Sequence, residues 1–239
     1  MPDQTTWESK EVADHYIKIA DALVPRRQEI LSVISSLATE FFKDPPRILD
    51  LGCGHGDVSN AILKAQPDCS ICMCDFSDGM VKLSTQRFSA NSNIRVYKQD
   101  LNEGLPDEIA EERFDAVVSC FSLHHIEFTN RVGLYLNILH SLKEGGLFVN
   151  GDRFKGESSQ LAGWEFDNWI RFMVEQIRKV FDRVKNFEDL RQSQFESDAK
   201  LGDKPGTLWE MEDDLREAGF NHVDCIWKYH NLAVIAASK

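Results

Sequence analysis

Apolar residues follow two alternating patterns along the chain, short continuous runs and longer stretches with helical spacing. The short runs, each predicting a buried strand, are RILDL, ICMCD, NIRVYKQD, FDAVVSCF and LFVNGD. The stretches between them predict helices. Strands that alternate with helices are joined by right-handed crossovers, so the pattern predicts a mostly parallel α/β sheet with helices on both faces. Ligands of such sheets bind at the carboxyl ends of the strands.

The alternation ends after residue 152. Residues 153–205 carry two helical patterns with no strand between them, and TLWEMEDDLREAGF then predicts another helix. HVDCIWKYH and LAVIAAS predict a sixth and a seventh strand. These two strands are too close for a crossover, so they pair as an antiparallel hairpin or with one inserted between other strands. Residues 11–40 predict helices with a break at Pro25.

The net charge of the chain argues against some classes of binding partner. A net charge of −12 and a pI near 5.0 disfavour nucleic acid, which is bound largely through Lys and Arg. No apolar run approaches the length that spans a membrane, and the N-terminus is polar. We therefore expect a cytoplasmic protein with no nucleic-acid or membrane partner, as a monomer or homodimer.

Three of the six cysteines could be read either as zinc ligands or as buried core thiols. Thiolates are good zinc ligands, and Cys69, Cys72 and Cys74 are close in sequence. In a strand, however, Cys72 and Cys74 share one face and Cys69 does not. The six cysteines are typical of reduced core thiols, and we predict no metal site.

The stretch LDLGCGHGDVS predicts a ligand-binding loop with glycines at 52, 54 and 56. A dinucleotide fingerprint needs its third glycine at position 57, which is Asp57, and no Gly-Lys-Ser/Thr follows as a P-loop requires. Gly52 and Gly54 allow a ligand to approach the backbone closely. Asp50 beside them suits a cationic ligand and would repel a pyrophosphate.

Acidic residues end three successive predicted strands. Asp75, 25 residues after Asp50, is placed to bind both hydroxyls of a ribose. Asp100 ends the third strand, where it can accept a hydrogen bond from the adenine amine. The sequence therefore favours a nucleoside that carries positive charge, although each carboxylate can also serve as a simple strand-end cap.

These motifs, with FDAVVSCFSLHHIE and HSLKEGGLFVNGD, resemble those of the class I S-adenosylmethionine-dependent methyltransferases over residues 47–152. The resemblance implies a Rossmann-like sheet of seven strands, with an antiparallel last strand inserted beside the fifth. It also implies S-adenosyl-L-methionine as cofactor, S-adenosyl-L-homocysteine as product and a small-molecule acceptor. Cofactor contacts implied by the resemblance fall on Gly52, Cys53, Gly54, Asp75, Phe76, Asp100, Leu101 and Cys120.

Five further residues are candidates for a role in the site. His125, in SLHHIE, is a candidate general base or a residue that packs beside the cofactor. Asp152 is a second catalytic candidate or a turn cap. Arg27 binds the cofactor carboxylate or an acidic substrate, or else begins a solvated helix. Trp164 and Trp169 are candidates to line an acceptor pocket.

We predict one methyltransferase domain over residues 1–239. Its parts are an N-terminal helical cap (1–44), a cofactor-binding core (45–152), a helical lid insert (153–205) and a C-terminal helix with a β-hairpin (206–239). Two alternatives stay open. One is an enzyme that uses or makes a modified S-adenosyl cofactor, because the chain ends loosely resemble carboxy-S-adenosylmethionine synthases. The other is a non-catalytic S-adenosylmethionine-binding module.

Overall fold

The structure, a computed structural model, describes residues 20 and 21 and residues 23–239. The strands are β1 (Arg47–Leu51), β2 (Ser70–Asp75), β3 (Ile94–Lys98), β4 (Phe114–Cys120), β5 (Leu142–Arg153), β6 (His222–Tyr229) and β7 (Leu232–Ser238). The helices are α1 (Arg27–Glu40), α2 (Asp57–Ala65), α3 (Asp78–Arg87), α4 (Asp107–Ala110), α5 (Phe128–Ser141), α6 (Ser159–Phe181), α7 (Phe187–Leu201) and α8 (Leu208–Glu217). The helical pattern predicted for residues 11–19 lies outside the described residues.

The strands form one sheet in the order β3-β2-β1-β4-β5-β7-β6. The first five strands pair in parallel, and β7 is antiparallel to both β5 and β6. The predicted α/β class, with a mostly parallel seven-stranded sheet and an antiparallel last strand, is confirmed. Of the two arrangements left open for the final strands, the structure has β7 inserted between β5 and β6.

Apolar clusters cover the two faces of the sheet. On one face, α1 and α2 pack through residues such as Ile30, Ile34 and Ile62, all fully buried. On the other face, α5 and α8 pack through residues such as Leu134 and Leu215. The central strands are apolar on both sides because both sides are covered.

The cysteines in β2 and just before it divide between these clusters. Cys72 and Cys74 belong to the α5 and α8 face, and Cys69 belongs to the α1 and α2 face. All three are buried free thiols. Burial raises the pKa of the Cys69 and Cys72 thiols to about 11.

The start of β5 differs from the sequence prediction. The strand predicted at LFVNGD begins earlier, at Leu142, and includes KEGG, and its pairing with β4 shifts register between Phe114 and Ala116. The break predicted at Pro25 is confirmed, since residues 24–26 are not helical and α1 begins at Arg27. No helix in the described ranges combines the length and the apolar character needed to cross a bilayer.

Candidate active site

A cavity of about 360 Å³ opens at the carboxyl ends of the parallel strands. Its floor comes from the loops after β1, β2 and β4. Its remaining walls come from α1 on one side and from α6, α7 and residues 201–203 on the other. The cavity therefore lies where parallel α/β sheets bind their ligands.

The glycine loop after β1 forms one wall of this cavity. Gly52, Gly54 and Gly56 have φ values of 61°, 53° and 87°, which L side chains rarely adopt. A Cβ at Gly52 would lie 1.7 Å from the Ser122 hydroxyl, so this position has no room for a side chain. The loop is tied down where the Cys53 amide donates to the Cys74 carbonyl at 2.9 Å.

Asp75 links the first two loops. Its carboxylate accepts hydrogen bonds from the Gly54 amide at 2.9 Å and from the Ser77 amide at 2.9 Å. Burial raises the pKa of Asp75, while the amide hydrogen bonds oppose that rise. Asp75 therefore shapes the glycine loop as well as facing the cavity.

Asp50 is fully buried at the base of the cavity. One oxygen accepts a hydrogen bond from the Ser59 hydroxyl at 2.6 Å. The other oxygen, Oδ1, has no hydrogen-bond partner among the described residues. Burial raises the pKa of Asp50 to about 7, against its usual 3.8. A cationic ligand group next to Oδ1 would compensate for that burial.

Arg27 reaches the same cavity from α1. Its guanidinium pairs with Asp57 and, at 3.0 Å, with Asp21. Asp57 also contacts His55 and Arg87, each at 2.9 Å. Burial alone would raise the pKa of Asp57, but these three donors outweigh it and lower the pKa well below its usual range. Arg27 is thus fixed by carboxylates at the edge of the glycine loop.

Histidines and carboxylates form a second part of the cavity lining, called here the histidine end. His124 Nδ1 lies 2.6 Å from the Asp152 carboxylate, and His125 Nδ1 lies 3.2 Å from Asp203 Oδ1. Arg153 pairs with Asp203 at 2.9 Å and with Asp198 at 2.6 Å. Burial, followed by the charges of neighbouring cations, lowers the pKa of His125 well below 6.5. His125 is therefore neutral near pH 7.

Most of the sequence-predicted residues come together around the cavity. The lining includes Arg27, Asp50, Gly52, Cys53, Gly54, Asp75, Phe76, Cys120 and His125. Asp152 is not among the lining residues and contacts His124 instead.

The two residues predicted at the end of the third strand are placed differently. Asp100 accepts a hydrogen bond from the Asn102 amide at 2.9 Å and caps a short 3₁₀ turn. Leu101 is 5% exposed within the apolar core. Neither residue is among those that line the cavity. Their proposed contacts with adenine stay predictions.

Several lining residues were missed by the sequence reasoning. Arg153, Asp198 and Asp203 come together only because the end of α7 folds back over β5. Of the two tryptophans predicted for an acceptor pocket, Trp169 lines the cavity, whereas Trp164 is not among the lining residues, is 54% exposed and lies against His230. The predicted insert ended at residue 205, and no spacing rule connects Asp198 or Asp203 with β5.

Comparison with known proteins agrees with this geometry. Residues 49–148 match the family described as "Methyltransferase domain". That match covers the glycine loop, Asp75 and the His124–His125 pair. The described fold and this match agree with the expected resemblance to class I S-adenosylmethionine-dependent methyltransferases.

Curated relatives carry a more specific name. The carboxy-S-adenosyl-L-methionine synthase of Aeromonas hydrophila is 25% identical over 233 residues, covering 96% of this chain and 89% of the relative. The corresponding synthase of Shewanella pealeana is 27% identical over 218 residues, covering 90% and 85%.

Solved structures show the same fold at lower identity. Human N-acetylserotonin methyltransferase in complex with S-adenosylmethionine superposes with a TM-score of 0.60 at 20% identity, covering 99% of this chain and 58% of that one. Phosphoethanolamine N-methyltransferase 2 of Haemonchus contortus, with phosphomonomethylethanolamine and S-adenosylhomocysteine, gives 0.69 at 14%, covering 100% and 60%. The chain thus spans about 60% of the length of these solved methyltransferases.

Proposed function

We propose that this chain transfers the methyl group of S-adenosylmethionine to a small-molecule acceptor by in-line displacement. The observation that carries the proposal is one cavity lined by two chemically different groups of residues. A glycine loop with Asp50 and Asp75 forms one group, and a histidine pair with residues of α6 and α7 forms the other. Aligning nucleophile, methyl carbon and sulfur is the main task of such an enzyme, because the donor is already activated.

The cofactor is proposed to lie along the glycine loop. Asp75 would bind the ribose hydroxyls, with Phe76 beside the adenine, and the backbone of residues 52–54 would contact the methionine part. Asp50 Oδ1, which is buried without a hydrogen-bond partner among the described residues, is the natural acceptor for a cationic group of the ligand. Arg27 faces the same cavity and is the candidate partner of the ligand carboxylate.

The acceptor is proposed to bind at the histidine end. His125 lines the cavity and is the candidate to take a proton from an acceptor that must lose one. Asp152 lies behind His124 and would act as a positioning residue, since its carboxylate fixes the imidazole through Nδ1. Trp169 and Leu201 enclose this end, which favours a small acceptor over a polymer. A cytoplasmic location and a monomeric or homodimeric state stay predictions from sequence.

Calorimetric titration with S-adenosylmethionine tests the cofactor site. Asp75→Ala should abolish binding, because it removes both the ribose acceptor and the carboxylate that holds the Gly54 amide. Asp78→Ala is the matched control, since Asp78 is an exposed carboxylate paired with Lys98 at the surface. Equal binding by Asp75→Ala and wild type would refute the site.

A methyl-labelled donor incubated with a metabolite extract tests the transfer itself. Label should appear in a small molecule and be absent when Asp75→Ala is used. Tight cofactor binding with no labelled product would favour a non-catalytic binding module.

The second candidate function is making or using carboxy-S-adenosylmethionine. It is favoured by the name of the curated relatives and by the arginines that line the cavity, Arg27 and Arg153, which can bind a carboxylate. Lys228, on β6, pairs with Glu165 at 3.9 Å and is not among the lining residues. Mass spectrometry of the ligand that copurifies separates the candidates: the carboxylated cofactor supports this function, and the unmodified cofactor supports methyl transfer.

A further inference from the structure

Three potential metal ligands converge at the histidine end of the cavity. His124 and His125 follow β4, and Asp203 follows α7. One ligand atom from each lies within 4.8 Å of the other two. Asp203 Oδ1 is 3.2 Å from His125 Nδ1 and 3.8 Å from His124 Nε2. Ligand atoms about 2.0–2.2 Å from one ion are separated by roughly 3.0–3.5 Å, so small side-chain adjustments bring all three into coordination.

His124 is oriented as a metal-binding histidine usually is. Its Nδ1 is 2.6 Å from Asp152, and the Asp152 side chain also accepts from the His124 amide at 3.2 Å. An Nδ1 proton donated to this carboxylate leaves the lone pair on Nε2, which lies 3.8 Å from Asp203 Oδ1. A carboxylate behind a ligand histidine fixes its tautomer and raises its basicity.

Asp203 supplies an oxygen that still needs a partner. Its other oxygen, Oδ2, is held by Arg153 at 2.9 Å. Oδ1 is buried, its side chain is 5% exposed, and no hydrogen bond reaches it from the described residues. An unpartnered buried carboxylate oxygen is costly, and a cation at this point would satisfy it.

The local charge favours a cation. Asp198 and Asp203 share one guanidinium, that of Arg153, while the Asp152 carboxylate contacts His124. The nearby Lys204 is neutralised by Glu127 at 3.1 Å. These carboxylates therefore outnumber the arginine and lysine charges that pair with them.

We propose that His124 Nε2, His125 Nδ1 and Asp203 Oδ1 bind a divalent first-row transition-metal ion. Two histidines and one carboxylate are a ligand set used for catalytic zinc and for non-haem iron, with positions left open for substrate. Here the open positions face the cavity that all three residues line.

This inference rests on the proposed methyl transfer and gives it a class of acceptor. A hydroxyl oxygen that coordinates the ion loses its proton to water more readily, as metal-bound water does. The oxygen then attacks the methyl carbon. One O–C bond forms, the C–S bond breaks with its electron pair going to sulfur, and the products are the methyl ether and S-adenosylhomocysteine. With the ion bound, His125 acts as a ligand and not as a base.

Metal binding can be measured without any acceptor. The full chain is treated with chelator, dialysed and titrated with Zn²⁺ by calorimetry, and Co²⁺ binding is followed by its visible absorption. We expect one ion per chain. Asp203→Asn and His125→Gln should each weaken binding by at least tenfold to a hundredfold, because each removes a ligand. Asp198→Asn is the matched control, since it removes the same charge from the same cavity but no ligand.

The control readout is S-adenosylmethionine affinity, which shows that each variant is folded. No ion binding by wild-type chain that still binds the cofactor would overturn the site. Equal loss in Asp198→Asn and Asp203→Asn would also overturn it, because charge alone would then explain the effect. Methyl transfer at full rate in excess chelator would refute the ion's role in catalysis while leaving the proposed function intact.

Discussion

Asp50 combines complete burial with an oxygen that lacks a hydrogen-bond partner among the described residues. Burial disfavours the carboxylate form, and Ser59 compensates only one of its two oxygens. Without ligand, the carboxyl group therefore titrates near neutral pH. A ligand cation beside Oδ1 would favour the ionised form, so binding and proton release are coupled.

Cofactor affinity should therefore rise with pH between about 5 and 7 and level off above. The gain is up to about tenfold per pH unit, the limit for one coupled proton. The α-amino group of the ligand stays protonated over this range, since such groups titrate near 8. Asp50→Asn keeps a partner for Ser59 but has no charge, and its affinity should not change with pH. Calorimetric titration at several pH values checks this, and an unchanged slope in Asp50→Asn would contradict it.

The Asp50 carboxyl group should also make the free energy of unfolding depend on pH when no ligand is bound. The folded carboxyl group has a pKa of about 7 against an ordinary 3.8, so between these values the folded chain holds a proton that the unfolded chain has released. Its contribution to the free energy of unfolding is therefore full below about pH 4 and is lost as pH rises to 7. Urea unfolding of wild type and Asp50→Asn should differ in this window.

Gly52 is the glycine at which conformation and space both exclude a side chain. Gly52→Ala introduces a Cβ at positive φ and places it 1.7 Å from the Ser122 hydroxyl. We expect a loss of at least tenfold in cofactor affinity and a melting temperature several degrees lower, because the loop and the β4 loop must move apart. Thermal melts and cofactor titration measure both effects.

Gly145→Ala is the matched control for that substitution. Gly145 has a φ of 73°, but a Cβ there would meet no described atom within 4 Å beyond its chain neighbours, and the residue does not line the cavity. The substitution therefore incurs the conformational cost of about 1 kcal/mol without a clash. Equal effects of the two substitutions would show that the Ser122 contact does not matter.

Residues at strand ends could be predicted from sequence because topology fixes where they lie. Asp50 and Asp75 end neighbouring parallel strands, and both line the cavity. Asp203 could not be predicted in this way, since it reaches the site through the path of α7 and not through strand order. Arg153 ends β5 next to Asp152, but only Asp152 was considered as a site residue from the sequence.

At the scale of elements, the insert is attached to the core by buried charges. Arg153, at the end of β5, pairs with Asp198 on α7 and with Asp203 just beyond it. Burial alone would lower the pKa of Arg153, but these carboxylates outweigh it and raise the pKa. α7 itself has no fully buried residue. Its position over the cavity therefore depends strongly on this ion pair.

Arg153→Met should loosen α7. It leaves two largely buried carboxylates without their cation, which costs about 3–5 kcal/mol when such a pair is broken. Hydrogen–deuterium exchange over Phe187–Leu201 should become faster, and the melting temperature should fall. Arg191→Met provides the comparison, because it breaks an exposed pair with Asp167 that also joins α7 to α6. Similar exchange in the two variants would refute the special role of Arg153.

Element boundaries were predicted well where the hydrophobic pattern and the flanking turn residues agree. β1 and β7 were predicted with the bounds they have, since each is a continuous apolar run. The start of β5 was not predicted correctly. The residues KEGG are typical of a turn, but in the structure they belong to β5, whose pairing with β4 is irregular there. Local turn chemistry does not reveal a bulge that the neighbouring strand imposes.

On the scale of the whole molecule, the last strand of the chain lies inside the sheet. β7 pairs with β5 on one side and with β6 on the other, and Val234 and Ile235 are fully buried. β5 carries Asp152 and Arg153 into the site, and β7 covers the edge of β5 that β4 leaves open. The sheet that supports the active site is therefore incomplete until the final residues have joined it.

A chain ending at residue 231 should therefore fail to fold cooperatively. It loses the strand that covers β5, leaves β6 without a partner strand and exposes the apolar edge of the sheet. Circular dichroism melts should show no sharp transition, and a dye that binds exposed apolar surface should bind strongly. Deletion of Lys239 alone is the control, since it removes two hydrogen bonds at the end of the chain but no strand residue. A cooperative melt and cofactor binding by the shorter chain would show instead that β1–β5 fold without the inserted strand.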